Sequence, residues 1–295
     1  MQSARSSSSR LLSLARHMIR RSATNAANTG RQTAGADAGA EQTTHFGYQT
    51  VKESEKEAKV HEVFEQVAKS YDLMNDAMSM GIHRVWKDVF IERLGPTHGM
   101  RLLDMAGGTG DISFRYLKYL ANQANPQQRQ SHVTISDINQ HMLDVGKERA
   151  RQLTQLPNCS IDWKCADAEK LPFASDSFNA YTIAFGIRNC THIDQVLSEA
   201  YRVLQPGGRF MCLEFSHLPN ETMQWLYDQY SFQVIPPMGQ LLAGQWQAYQ
   251  YLVESIRRFP RQDQFKRMIE QAGFAHVTYE NLTFGVVSIH SGFKL

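Results

Sequence analysis

The residues best placed to do chemistry lie between Arg101 and Asp111, where the chain reads Arg-Leu-Leu-Asp-Met-Ala-Gly-Gly-Thr-Gly-Asp. An apolar run leads to a carboxylate, Asp104, and then to three glycines in four positions. Gly107, Gly108 and Gly110 have no Cβ, so the backbone can take positive φ there and a ligand can come close. Ile112 to Leu120 reads as a helix whose free N–H groups face back onto this loop. Strand, glycine turn and helix open a nucleotide-binding α/β domain, although the same pattern also serves as a plain tight connection. Two details narrow the ligand. The spacing is not G-x-G-x-x-G, and no Gly-Lys-Ser/Thr follows, so a pyrophosphate or triphosphate cradle is disfavoured. Asp104 just ahead of the glycines would repel phosphate and would suit a cation. S-adenosylmethionine (SAM), with an amino-acid end, a sulfonium and no phosphate, fits Asp104, Gly107 and Gly110 best.

Further candidates follow along the chain. His132 to Ile138 alternates and ends in Asp137, where an acid at the end of a second strand grips a ribose diol. Its distance from the glycines exceeds the usual ~20 residues, and the polar stretch Asn122–Ser131 accounts for the excess. After the next strand, Asp167 and Ala168 are placed to flank an adenine, the acid accepting from the exocyclic amine. A fourth strand, Ser177 to Phe185, runs into Gly186-Ile-Arg188-Asn189. Strand carboxyl ends face the ligand crevice in an open parallel sheet, and an Arg buried there needs a partner. A surface salt bridge is the plainer reading of Arg188.

The remaining chain supplies the frame. Residues 1–36 hold six Arg and no acid, with Leu11, Leu12, Leu14, Met18 and Ile19 at roughly helical spacing. That is the composition of a mitochondrial transit peptide. Residues 37–50 read as linker, and the folded domain is expected over 51–295. Outside the leader, 25 basic residues face 29 acidic ones, which argues against a broad nucleic-acid-binding surface. The four Cys make no C-x-x-C pair. Buried free thiols are expected, and no metal site. No apolar run approaches the ~18 residues of a membrane span. Val51 to Lys69 is helical, followed by a stretch rich in Met, aromatics and polar tips (Tyr71, Asn75, His83) that reads either as a helix pair over the sheet edge or as a substrate lid. A fifth strand covers Arg209 to Phe215. Residues 217–258, dense in Trp, Tyr, Phe and Met, read as a helical insertion over the active face or a dimer surface. A last helix and a closing hairpin, His276–Leu282 and Val286–Phe293, complete an α/β sheet with a final antiparallel strand.

Four motifs carry a family resemblance: Y-D-x-M-N-x2-M-S-x3-H-x2-W (Tyr71 to Trp86), L-D-M-A-G-G-T-G-D (Leu103 to Asp111), F-G-I-R-N (Phe185 to Asn189) and R-V-L-Q-P-G-G (Arg202 to Gly208). They resemble the ubiquinone/menaquinone-biosynthesis C-methyltransferases from about residue 45 to the C-terminus; the first and third motifs are specific to that family. Ala184 stands where bacterial members often carry Ser, and Gln205 replaces the usual Lys or Arg. The resemblance implies a class I SAM-dependent methyltransferase fold, a Rossmann-like seven-stranded sheet. It implies SAM contacts at Thr109, Asp137, Asp167 and Ala168, and methyl transfer to a ring carbon of a polyprenyl benzoquinol without a metal. The expected chemistry needs an oxyanion stabiliser, assigned to Arg188, and a proton acceptor, a water or Asp111. Asn189, Tyr71 and His83 are expected to orient the ring. Peripheral contact with the matrix side of the mitochondrial inner membrane and a place in a multi-subunit coenzyme Q synthesis complex are also implied. A dinucleotide oxidoreductase, a nucleic-acid methyltransferase and a non-catalytic quinol-binding subunit are the rivals. The glycine spacing disfavours the first, the acidic body the second, and the intact glycine loop with Asp137 the third.

Overall fold

The computed structural model describes residues 42–67, 75–76, 78–153, 157–244 and 246–295. The leader reading for 1–36 and the candidate Tyr71 lie outside the described residues. The elements in order are β1 (Thr43–Phe46), β2 (Gln49–Lys52), α1 (Glu53–Val67), α2 (Ile82–Leu94), β3 (Arg101–Met105), α3 (Asp111–Ala121), β4 (Ser131–Asp137), α4 (Gln140–Arg151), β5 (Cys159–Cys165) and β6 (Phe178–Ala184). A 3-10 turn (Ile187–Asn189) follows, then α5 (Ile193–Val203), β7 (Leu204–Phe215), α6 (Glu221–Gln233), α7 (Ile235–Ala243), α8 (Trp246–Arg258), α9 (Gln262–Gln271), β8 (Ala275–Leu282) and β9 (Val287–Phe293).

Seven strands form one sheet in the order β5-β4-β3-β6-β7-β9-β8. The pairs from β5 through β7 are parallel, while β9 runs antiparallel to both β7 and β8. Parallel strands covered on both faces read as nearly continuous apolar runs, with successive side chains on opposite faces. Leu102, Ala180, Met211 and Leu213 point to one face, where α2 and α3 supply Trp86, Phe90, Ile112 and Tyr116. Their neighbours Leu103, Tyr181, Phe210 and Cys212 point to the other, against Val196 and Leu197 of α5 and Phe265 and Ile269 of α9. The chain leaves β3 outward through β4 to β5 and returns to β6 on the opposite side of β3. This reversal opens a crevice above the carboxyl ends of β3 and β6.

Two expectations need correction. The linker expected over 37–50 is strand from residue 43 onward, where Thr43–Phe46 and Gln49–Lys52 form the β1–β2 hairpin, held down by Tyr48 N–H donating to Glu254 Oε2 at 2.9 Å and by Phe46 stacked on Tyr251 at 4.2 Å. Four-residue strands are too short to show a period, and their anchors lie some two hundred residues away. The thiols are free, but only Cys212 is buried; Cys165 is exposed at the end of the half-covered strand β5. The insertion is helical, as α6, α7 and α8. Ile235, Ala248, Tyr249 and Val253 form its own apolar cluster, packed with Val63, Met78 and Tyr230. The Met-rich stretch and the insertion thus meet. Among the described residues, no helix is long and apolar enough to cross a membrane.

Candidate active site

The crevice holds a cavity of about 300 Å³. Its floor is two strand ends that turn sharply. Ala106 after β3 and Phe185 after β6 have φ of 52° and 56°, a conformation that costs a non-glycine residue energy and persists only where the surroundings impose it. The two turns touch: a Cβ on Gly186 would lie 2.4 Å from Ala106 Cβ. Gly107 is equally constrained, since a Cβ there would come 2.8 Å from Ile135 Cγ2 and 3.0 Å from the Asp104 carbonyl. These glycines are required by the close approach of the protein's own atoms, which lets the two turns pack together beneath the cavity.

Gly107, Thr109, Asp111, Asp137, Asp167, Ala168 and Asn189 all line the cavity. Asp137 accepts from Gly108 N–H and Asn139 N–H, both at 2.9 Å. Burial pushes its carboxyl up to about 6 despite those amides. Thr109 Oγ1 accepts from Arg149 Nη1 at 2.8 Å. Asp167 caps its own turn, accepting from Glu169 N–H at 2.9 Å.

Four expected residues are placed differently. Asp104 is buried beneath the glycine loop and is not on the cavity wall. Ser113 Oγ donates to it at 2.6 Å and Thr182 Oγ1 at 3.0 Å. Burial pushes its carboxyl up to about 6 even with those hydroxyls. It braces β3, α3 and β6 and does not meet a cation. Gly110, with φ 84°, sets the start of α3 and is likewise off the wall. His83 is buried and turned onto Asp76, with Nε2 to Oδ1 at 2.8 Å. Burial lowers its imidazole's affinity for a proton, with Lys87 adding to the effect. Arg188 is not a surface residue and does not stand alone. It is buried behind the wall, donates from Nη1 to Glu214 Oε1 at 2.9 Å and to the Phe185 carbonyl, and lies over the Phe215 ring. Arg188 Nε and Glu214 Oε2 are buried without partners among the described residues.

Several site residues escaped the sequence reading. Glu214 was signalled, being the one acid in the apolar run Phe210-Met-Cys-Leu-Glu-Phe215; a buried acid demands a cation. Tyr251 on α8 gave no signal. Its hydroxyl donates to Asn189 Oδ1 at 3.0 Å, and burial raises its pKa so that it stays a donor. Lys87 follows the last residue of the first motif; it is buried and donates to Asp111 Oδ2 at 2.6 Å. Arg115 Nε also reaches Asp111, at 3.1 Å. Burial alone would raise the Asp111 carboxyl, but Lys87 and Arg115 hold it below its ordinary value, which makes it a weak proton acceptor. Helix α1 closes one side with Glu53, Glu57, Val60 and His61. Lys56, fully buried, ties that helix to the Cys190 carbonyl at 2.9 Å.

In total, six carboxylates line the cavity: Glu53, Glu57, Asp111, Asp137, Asp167 and Glu169. Such a wall repels phosphates and receives a positively charged ligand. Among the described residues, no group of three His, Cys, Asp or Glu is placed to hold a metal ion.

The sequence model of the ubiE/COQ5 methyltransferase family matches residues 52–294. The chain belongs to this family. Like it, a protein of Drosophila melanogaster named 2-methoxy-6-polyprenyl-1,4-benzoquinol methylase, mitochondrial, is 78% identical over the full length of both chains. The Mus musculus protein of the same name is 56% identical over 85% of this chain and 84% of its own. A SAM-dependent methyltransferase of Thermotoga maritima, described as a possible histamine N-methyltransferase, superposes with a TM-score of 0.52 at 15% identity, covering 79% of this chain and 99% of that one. That likeness concerns the fold, which is the class I methyltransferase sheet with its antiparallel strand pair. Within the ubiE/COQ5 family frame, the glycine loop, Asp137 and the F-G-I-R-N turn converge on one cavity.

Proposed function

We propose that this ubiE/COQ5-family methyltransferase uses SAM to methylate a ring carbon of 2-methoxy-6-polyprenyl-1,4-benzoquinol in ubiquinone formation. The observation that carries the reading is the acid-lined, glycine-floored cavity at the sheet's reversal, in a chain 78% identical throughout to a relative of that name. The residues present fit SAM. Gly107 and Gly108 present bare backbone to the cavity, in a loop too tightly packed for a side chain at Gly107. Asp137 would accept from the ribose hydroxyls, and Asp167 with Ala168 would hold the adenine. The acidic wall suits a molecule with an ammonium and a sulfonium.

SAM supplies an electrophilic methyl group; the rest is asked of the chain. Ionising a quinol hydroxyl pushes electron density onto the ortho carbon. The protein must align that carbon, stabilise the oxyanion and let the ring proton leave. In our reading Arg188, paired with Glu214 behind the wall, acts on the oxyanion through the Phe185–Asn189 turn that it holds and not by contact. Asn189, fixed by Tyr251, orients the ring. Because Asp111 is held ionised by two cations, the proton goes to water. No step asks for a metal.

The reading extends to the setting. The mitochondrial label of the relatives and the Arg-rich, acid-free residues 1–36 support import with a cleaved leader. The Met-rich stretch around 74–80 and the insertion 217–258 would guide the prenyl tail, at the matrix side of the inner membrane and within a quinone-synthesis complex. A second copy of the chain is the alternative occupant of the insertion's outer face.

The test is to incubate the protein without residues 1–36 with methyl-labelled SAM and a short-chain 2-methoxy-6-prenyl benzoquinone, with and without a reductant. Label on a ring carbon under reducing conditions alone is the expected result. Measurable SAM binding with no transfer would refute the acceptor, and no SAM binding would refute the reading of the glycine loop.

A further inference from the structure

Lys87 is an anomaly of the cavity. It is the sole Lys or Arg lining it among the described residues, against six carboxylates. Only 5% of it is exposed, so its ammonium is costly unless anions answer it. An ammonium has three donors, and one is given to Asp111 Oδ2 at 2.6 Å. Asp111 does not depend on Lys87 alone, because Arg115 Nε holds its other oxygen at 3.1 Å. Lys87 can therefore turn a donor to a ligand while Asp111 keeps a cation. The pair offers the cavity a positive and a negative charge side by side.

On the reading that the cavity takes SAM, we infer that Lys87 and Asp111 form the receptor for its zwitterionic α-amino-acid terminus, Lys87 taking the carboxylate and Asp111 the ammonium. Lys87 is the cation best placed for the anion: of the other basic side chains on the wall, His61 and His192, the latter is already held between Glu53 and Glu169. The ligand's carboxylate is its only negative group, and on a wall of acids it needs a fixed cation. Lys87 stands on α2 and Asp111 at the first turn of α3, beside the glycine loop. Both elements are packed into the same apolar face of the sheet, so the two charges are held by rigid scaffolding. The pair is thereby a selectivity device. It separates ligands that carry a complete amino-acid end from adenosine derivatives that lack one.

The test uses two uncharged-at-sulfur ligands and the full chain. S-adenosylhomocysteine carries the amino-acid terminus, while 5′-methylthioadenosine keeps the adenosine and the thioether without it. Calorimetric titration of Lys87→Met is expected to show S-adenosylhomocysteine binding weakened by about 10- to 100-fold, the scale of a charge-assisted hydrogen bond. Methylthioadenosine affinity is expected to stay within about threefold. Lys87→Arg should restore most of the loss, since the charge survives although the geometry changes. An unchanged ratio of the two affinities in Lys87→Met overturns the inference. So does loss of both ligands in both variants, which would make Lys87 a packing residue. Failure of the unmutated protein to bind S-adenosylhomocysteine would instead refute the SAM reading itself.

Discussion

Asp104 and Asp137 are both pushed up to about 6 by burial, but only Asp137 faces the cavity. For Asp104 the linkage concerns stability. Its folded pKa lies above the ordinary 3.8, so between about pH 4 and 6 the folded state holds a proton that the unfolded chain has released. Stability from this group is therefore gained as pH falls through 6 and is lost above it. Relative to Asp104→Asn, the unmutated protein should gain about 2 kcal/mol of unfolding free energy between pH 7 and pH 4. Urea titrations at several pH values measure this, and parallel pH profiles would count against it. For Asp137 the linkage concerns the ligand. A carboxylate accepting from a diol loses that capacity on protonation, so S-adenosylhomocysteine affinity should fall as pH drops below about 6. Asp137→Asn should bind weakly, with a flat profile. At this scale the glycine loop, Asp137 and the buried Arg188 were legible, because each is a rare residue type at a strand end. Glu214 stands out as the one acid in an apolar run, but no local pattern announces that its partner is Arg188, 26 residues away, or that Tyr251 reaches Asn189 across 62 residues.

At the scale of elements, the cavity depends on two strand-end turns pressed together and on a helix that fixes one of them. Gly186→Ala would place its Cβ 2.4 Å from Ala106 Cβ. The two turns would have to separate, which costs about 1–3 kcal/mol of stability. Ligand affinity should fall more than the stability loss alone explains, because both turns are cavity wall; calorimetry and thermal unfolding on the same variant separate the two effects. Tyr251→Phe acts from α8. It removes the donor to Asn189 and leaves that half-buried amide oxygen short of a partner, an effect of about 1 kcal/mol or roughly a fivefold drop in kcat. Cofactor affinity should not change, so a loss of binding equal to the loss of turnover would sink the assignment of Asn189 to the acceptor side. The order and type of the sheet elements could be read from alternation and turn residues. The β1–β2 hairpin could not, since it is defined by docking onto α8 and not by its own four-residue strands.

Among the described residues, the acid-lined site is set apart from several exposed apolar side chains on the insertion. Trp225, Leu226 and Leu241 of α6 and α7 are 59%, 57% and 85% exposed, and Met80 before α2 is 90% exposed. Scattered exposed apolar side chains are ordinary, but these belong to the two segments that meet through Met78 and Tyr230. A polyprenyl tail is as apolar as the bilayer core, so an enzyme that takes its ring must work where the tail rests. Side chains entering the headgroup region would contribute about 25 cal/mol for each Å² of apolar surface buried, enough together for reversible adsorption and far short of insertion. Replacing Trp225 and Leu241 with Glu should therefore lower co-flotation of the protein with phosphatidylcholine–cardiolipin vesicles by roughly tenfold. Turnover of a long-chain quinol held in those vesicles should fall in step. S-adenosylhomocysteine affinity should be unaffected, because neither side chain lines the cavity. If flotation persists while the protein changes from dimer to monomer in sedimentation, the exterior face belongs to a second copy of the chain, and the tail must reach the site by another route.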